Sequence, residues 1–278
     1  MARIVGALAT SHIPAIGGAI ARGLQKEPYW KRFFDGFDRP REWLAREKPD
    51  VVAVFYNDHG LNFFLDKMPT FAVGAAAQYR NDDEGWGIPT LPPFKGVPEL
   101  SWAIIDHLIA NDFDIVTCQE MLVDHAFTVP LKLFWPDGDA PAAVPICINT
   151  VQFPLPSAKR CWAMGRAVGE AIAGWDRDLK VVTIGSGGLS HQLEGQRAGF
   201  INKPFDLKFL DTMADDPEWA TQFSVLELVE KTGTQGVELI NWLAARAAAS
   251  PGPMRKVTQT YHIPISNTAA ATLVLEPA

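Results

Sequence analysis

Seven short runs of near-continuous hydrophobicity recur along the chain: RIVGALA from Arg3, DVVAVFYN from Asp50, TFAVGAA from Thr70, DIVTC from Asp114, VPICINTV from Val144, KVVTIGSGG from Lys180 and ATLVLEP from Ala271. Their length and Val/Ile content predict strands covered on both faces. Between them the period lengthens. RPREWLARE (Arg39 onward), PELSWAIIDHLIAND (from Pro98), SAKRCWAMGRAVGEAIAGW (from Ser157) and QGVELINWLAARAAA (from Gln235) carry apolar residues at helical spacing, the third behind a Ser N-cap. Strands alternating with helices predict an α/β fold: a single domain, 1–278, whose central, largely parallel or mixed β-sheet is flanked by helices. No low-complexity linker or internal repeat divides the chain. The Pro/Gly-rich tract DDEGWGIPTLPPFKGVPEL holds Trp86, Leu91 and Phe94 and reads as a packed loop.

Composition narrows the functional classes. The 278 residues are 47% hydrophobic and 21% charged, ordinary for a globular chain, and a net charge of -7 without a Lys/Arg block speaks against nucleic acid as a partner. Cys118, Cys147 and Cys161 form no CxxC pair, which fits a reducing compartment and offers no thiolate cage. The first apolar run is broken by Ser11-His12 and Pro14, so it is not read as a signal peptide, and no stretch is long enough to span a membrane. The expected location is cytoplasmic. Nine tryptophans suit an oligomer with an aromatic interface as well as they suit a bulky core.

The histidines carry the candidate chemistry. His12 follows the first predicted strand and precedes Pro14 and Gly17-Gly18, which read as a turn; binding sites of open α/β sheets lie past such strand ends. His59 follows the second run in the same way, with Asn57 and Asp58 placed to orient its ring. His191 lies just after Gly-Ser-Gly-Gly, where backbone can approach a ligand, and an imidazole there suits acid/base work. His125 follows an aspartate and a possible strand, His107 sits within a helix and reads as structural, and His262 is placed to support a site from behind. Glu238, at a helix start, would complete a two-histidine, one-carboxylate set. That set suits Fe(II) and leaves positions open for substrate and dioxygen, and Zn(II) would accept it equally for hydrolysis.

In order along the chain, TSHIPAIG, YNDH, DEGWG, VDHAFTVPL, GSGGLSHQLEGQRAGFINKPFD, GVELINWL and YHIPISNTA resemble the class III extradiol ring-cleaving dioxygenases, most closely the catalytic beta subunits that cleave protocatechuate at the 4,5 bond. The resemblance implies Fe(II) held by His12, His59 and Glu238, His191 as acid/base, His125 beside substrate and oxygen, and Ser266 and Asn267 at the substrate end of the pocket. It implies O2-dependent cleavage of a carboxylated catechol. Protocatechuate, giving 4-carboxy-2-hydroxymuconate semialdehyde, is the first choice; gallate or 3-O-methylgallate is the alternative. It also implies a possible small alpha subunit covering the pocket. Phe127, where relatives carry a small residue, is expected to reshape the pocket, and Lys132 and Pro204 also depart from the family pattern. Different-class alternatives are a zinc hydrolase and a non-catalytic binding protein of the same fold.

Overall fold

In the computed structural model, which describes residues 1–278 apart from the side chain of Pro264, the predicted strands assemble into one mixed sheet. In chain order the strands are β1 (Arg3–Thr10), β2 (Val51–Tyr56), β3 (Phe71–Gly74), β4 (Gln78–Tyr79), β5 (Phe94–Lys95), β6 (Val116–Cys118), β7 (Ala142–Ile148), β8 (Lys180–Ser186), β9 (Met254–Ile265) and β10 (Thr268–Pro277). The short β4 and β5 pair with each other; the other eight lie in the order β6-β3-β7-β2-β8-β1-β10-β9. The central run β7-β2-β8-β1 is parallel, with Val54 level with Ile184 and Leu8 level with Ile184 on β8's other side. Antiparallel pairings attach β3 on one flank and β10 and β9 on the other.

The helices are α1 (Pro14–Ala21), α2 (Pro28–Asp35), α3 (Asp38–Glu47), α4 (Pro98–Ala110), α5 (His125–Phe134), α6 (Ala158–Ala173), α7 (Lys203–Asp215), α8 (Val225–Thr232) and α9 (Leu239–Ala249). They divide between the faces of the sheet. Along β2, Val51, Ala53 and Phe55 face the core that Trp162 of α6 and Trp242 of α9 fill. Val52, Val54 and Tyr56 face the other core, with Ile16 of α1, Phe33 of α2, Trp43 of α3 and Val129 of α5. Alternate residues thus enter two different cores, which is why the run is apolar throughout rather than alternating.

Three expectations need correction. The segment after His12 is a helix rather than a Pro-Gly turn: Pro14 takes the first helical position, where it lacks only an N–H that would be unpaired anyway. Gly17 sits inside that helix because a Cβ there would stand 2.7 Å from Ile88. The segment around His125 begins α5, although Pro130 lies within it. The longest strand, β9, has no counterpart among the predicted runs. It is an edge strand, part-buried along most of its length, so its polar MRKVTQTYHIPI needs no continuous hydrophobicity.

Candidate metal centre and active site

The three central neighbours β2, β8 and β1 end side by side, and the loops that leave them carry His59, His191 and His12. Glu238 reaches the same point from the other side of the chain. It closes a 3-10 turn, Gly236–Glu238, that leads into α9, and α9 is tied to the end of β8 by side chains. Asn241 Nδ2 donates to Ser186 O at 2.9 Å and to Asn57 Oδ1 at 3.1 Å, and Trp242 Nε1 donates to Gly187 O at 2.8 Å. The Glu238 carboxylate accepts from Gly188 N at 2.9 Å and from Asn57 Nδ2 at 3.1 Å.

All four imidazoles present the same nitrogen inward. His59 Nδ1 lies 2.7 Å from Asp124 Oδ2, His125 Nδ1 lies 2.7 Å from Glu84 Oε1, and His191 Nδ1 lies 2.8 Å from Leu189 O; each partner can only accept, so each Nδ1 donates. His12 Nδ1 lies 2.9 Å from Ser186 Oγ. The Ser186 hydroxyl spends its single proton on Ala126 O, so it accepts from His12 Nδ1–H. Pro130 stands four residues after Ala126 and brings no N–H to that carbonyl, which leaves it available to Ser186. A proline inside α5 thereby helps to fix the tautomer of a histidine in the loop after β1.

The Nε2 atoms of His12, His59 and His191 converge with the carboxylate. His12 and His59 Nε2 each lie 3.6 Å from Glu238, and His191 Nε2 lies 3.9 Å from it. Ring nitrogens of His12, His59 and His125 fall within 4.8 Å of one another. The His59 and His125 rings stack with centroids 4.4 Å apart, and His12 meets both edge-on. Burial pushes the His12 imidazole down to about 4 against the pull of Glu238, so a neutral nitrogen lone pair faces a carboxylate. Burial also opposes the charge on His59, but Asp124 and Glu238 outweigh it and hold that imidazole at about 10. Burial works against the charge on Glu238, but the surrounding imidazoles outweigh it and hold the carboxyl well below the ordinary carboxylate range. A buried carboxylate with three imidazole nitrogens at 3.6–3.9 Å, where a bound cation would displace the His59 proton, is the donor set of a cation site. Two donors about 2.1 Å from one ion stand roughly 3.0 Å apart at right angles and roughly 4.2 Å apart when opposed.

The cluster forms the floor of a cavity of about 1010 Å³. Trp86, Val151, Phe153 and Leu193 supply apolar walls, and Gln192 and Ser266 supply neutral polar groups. Ser266 and Asn267, with φ of 50° and 60°, make the two-residue turn between β9 and β10. Ser266 lines the cavity, whereas the Asn267 side chain lies beside Gly199.

Several expected details shift. Asn57 does reach His59, with its Nδ2 3.1 Å from Nε2. Asp58 instead caps the loop beyond, accepting from the backbone of Gly60, Leu61, Asn62 and Phe63. His262 packs against Phe33 and is absent from the cavity lining, as is His107 of α4, which stands beside Glu170 of α6. Phe127 is fully buried between Tyr56 and Phe94 in the core, so it does not line the cavity. Lys132 bonds Pro136 O at the end of α5, and Pro204 occupies the first turn of α7. Trp86 is not a packed loop residue: it is 58% exposed and faces the cavity. Sequence reasoning missed Asp124, Glu84 and Ser186 as orienting partners; only the adjacency of Asp124 to His125 hinted at one of them.

Comparison with known proteins identifies the family. Residues 6–272 match the family described as the catalytic LigB subunit of aromatic ring-opening dioxygenase. The chain belongs to that family. It is 38% identical over 196 residues to the gallate dioxygenase of Pseudomonas putida, a match that covers 70% of this chain and 57% of that protein. It is 28% identical to a 2,3-dihydroxyphenylpropionate/2,3-dihydroxicinnamic acid 1,2-dioxygenase of Rhodococcus sp, over 93% of both chains. Among solved structures, the uncharacterized protein JW3007 from Escherichia coli K12 has the same fold, with a TM-score of 0.60 at 15% identity over 97% of this chain and 99% of that one. Among the described residues no helix is long and apolar enough to cross a membrane.

Proposed function

We propose that the chain acts as one catalytic domain that opens the ring of a carboxylated catechol with O2 by extradiol cleavage, using Fe(II) held by His12, His59 and Glu238. The observation that supports this reading is the shared orientation of four imidazoles, each tied through Nδ1, which brings Nε2 of His12, His59 and His191 within 3.9 Å of the Glu238 carboxylate. A set of His12, His59 and His125 is also compact, but Glu238, buried 3.6 Å from both His12 and His59, supplies the negative charge that a divalent ion there would need. Two imidazoles and a carboxylate favour Fe(II), which when bound can chelate both catechol oxygens, ease loss of their protons and leave a position for O2.

His191 supports acid/base work by its placement. Its Nδ1–H is committed to Leu189 O, so Nε2 is the nitrogen that takes a catechol proton and later returns it. His125, fixed by Glu84 and stacked on His59, presents its Nε2 beside the same space. The apolar walls suit an aromatic ring. Among the described lining residues there is no Lys or Arg, so a substrate carboxylate would meet neutral donors such as Ser266, with Asn267 supporting the turn. Protocatechuate is the first substrate to test and gallate the second; the name of the Pseudomonas putida relative supports the latter. A cytoplasmic oligomer with a small alpha subunit over the cavity completes the proposal.

The test is oxygen uptake by anaerobically purified, Fe(II)-loaded protein offered protocatechuate, gallate and 3-O-methylgallate, with Zn(II)-loaded protein as control. Uptake of one O2 per ring opened, with iron only, is expected. No O2 uptake by the Fe(II)-loaded protein on any of the three would defeat it.

A further inference from the structure

The stretch GSGGLSHQLEGQRAGFINKPFD ends on Asp206, which the metal centre does not use. Asp206 lies in the first turn of α7, fully buried, and faces the loop that carries His191. Its carboxylate accepts three hydrogen bonds: Ser190 N at 3.0 Å, Ser190 Oγ at 2.6 Å and Tyr261 Oη–H at 2.8 Å. Ser190 Oγ in turn accepts from Asn202 N at 2.8 Å, so the α7 N-terminus and the loop share one node. Ser190 immediately precedes His191, and Tyr261 belongs to the β9–β10 hairpin whose tip carries Ser266. The same hairpin pairs with the loop through its backbone: Leu189 N donates to Ala269 O at 2.9 Å, and Ala269 N donates to Ser190 O at 3.1 Å. One carboxylate thus ties the acid/base wall of the cavity to its hairpin wall.

We infer that Asp206 is a positioning residue for ring cleavage, acting through Ser190 to hold His191 Nε2 over the site and through Tyr261 to hold the hairpin against it. The inference rests on the role proposed above for His191. His191 itself has one side-chain anchor, Leu189 O, which is part of the same loop. Its distance from Glu238 is therefore set by how the loop is fixed, and Asp206 is the only described side chain that holds Ser190 by both its amide and its hydroxyl. Without that carboxylate, the buried Ser190 N–H and hydroxyl would be left without an acceptor, Tyr261 would lose its tie to the loop, and the loop would relax.

The experiment is a double-mutant cycle on the Fe(II)-loaded protein. Asp206→Ala should lower kcat about tenfold, the scale of coupling within one hydrogen-bond network, with KM and iron content within about twofold of wild type. Asp206→Asn, which keeps an acceptor for the Ser190 amide, should recover part of the loss. In the His191→Phe background, Asp206→Ala should cost at most about twofold further, the part that runs through Tyr261 and the hairpin. Equal losses in both backgrounds would mean a general structural role and would overturn the inference, as would an unchanged kcat in Asp206→Ala. Tyr261→Phe and Ser190→Ala, each removing one hydroxyl, supply the same comparison if Asp206→Ala does not fold. Wild-type protein that takes up no O2 on any catechol would instead defeat the functional reading, so the two failures are distinguishable.

Discussion

Each inward nitrogen at the centre depends on a residue behind it, so the sharpest tests replace single atoms. Glu238→Gln keeps shape and volume but removes the anion, and metal content should fall by about 100-fold or more, beyond the 10–100-fold typical of losing an orienting partner. Metal analysis of anaerobically purified protein, beside an unchanged circular dichroism spectrum, checks this; normal metal content would exclude Glu238 as a ligand. Ser186→Ala should weaken metal binding by about 10–100-fold, because His12 Nδ1 loses its partner and the tautomer is no longer fixed. His191→Phe should retain metal and bind catechol anaerobically while kcat drops by about 10²–10⁴-fold, the usual contribution of a general acid/base. Asp206 makes a prediction about pH. Burial pushes its carboxyl up to about 6 while Ser190 and Tyr261 pull back. An acid whose pKa is raised by folding lends stability that is complete below its unfolded value near 4 and is lost as pH rises through 6. Relative to Asp206→Asn, wild type should therefore lose on the order of 3 kcal/mol between pH 4 and pH 7. Urea unfolding of both proteins in chelator reads the difference, and a flat one would show that the group titrates normally.

At the scale of elements, the strand ends place the histidines and α9 places Glu238. The position of α9 depends on close backbone contact. Gly165 and Gly169, one turn apart on α6, let that helix approach Ala244 and Ala248 of α9: a Cβ at either glycine would stand 2.2 Å from a carbonyl oxygen. Neither oxygen can yield without moving the α9 backbone. Gly165→Ala should therefore destabilise the fold by about 1–3 kcal/mol through overpacking, despite alanine's better helix propensity. Chemical denaturation checks the sign, and a stabilised variant would show that α9 is free to shift. Helix α5 makes the complementary point. Its N-terminus gathers Asp124 and Glu84, which fix His59 and His125, and its interior proline leaves Ala126 O to Ser186.

For the whole molecule, the proposed ligand set would link metal binding to folding, because His12, His59 and Glu238 converge only in the folded chain. An ion at 100 times its dissociation constant stabilises the native state by about 2.7 kcal/mol. Anaerobic Fe(II) should therefore raise the thermal midpoint of wild type and leave Glu238→Gln unmoved; equal shifts would place the ion elsewhere.

How far the sequence reached follows from the range of the forces involved. The parallel core was legible because strands buried on both faces must be apolar at every position, as Val51 to Tyr56 are. The histidines past the strand ends were legible because such ends open onto the binding face of an α/β sheet. Hidden were β9, whose edge position lets it stay polar, and α5, whose proline reads as a stop. Hidden too was the pairing of each imidazole with its partner: His59 with Asp124, His125 with Glu84 and His12 with Ser186 lie 41 to 174 residues apart. Periodicity and residue type act over a few neighbours, so the chain alone determined which elements form and which residues can do chemistry. Which nitrogen faces the centre, and what holds it there, was decided by contacts that exist only after distant segments have packed.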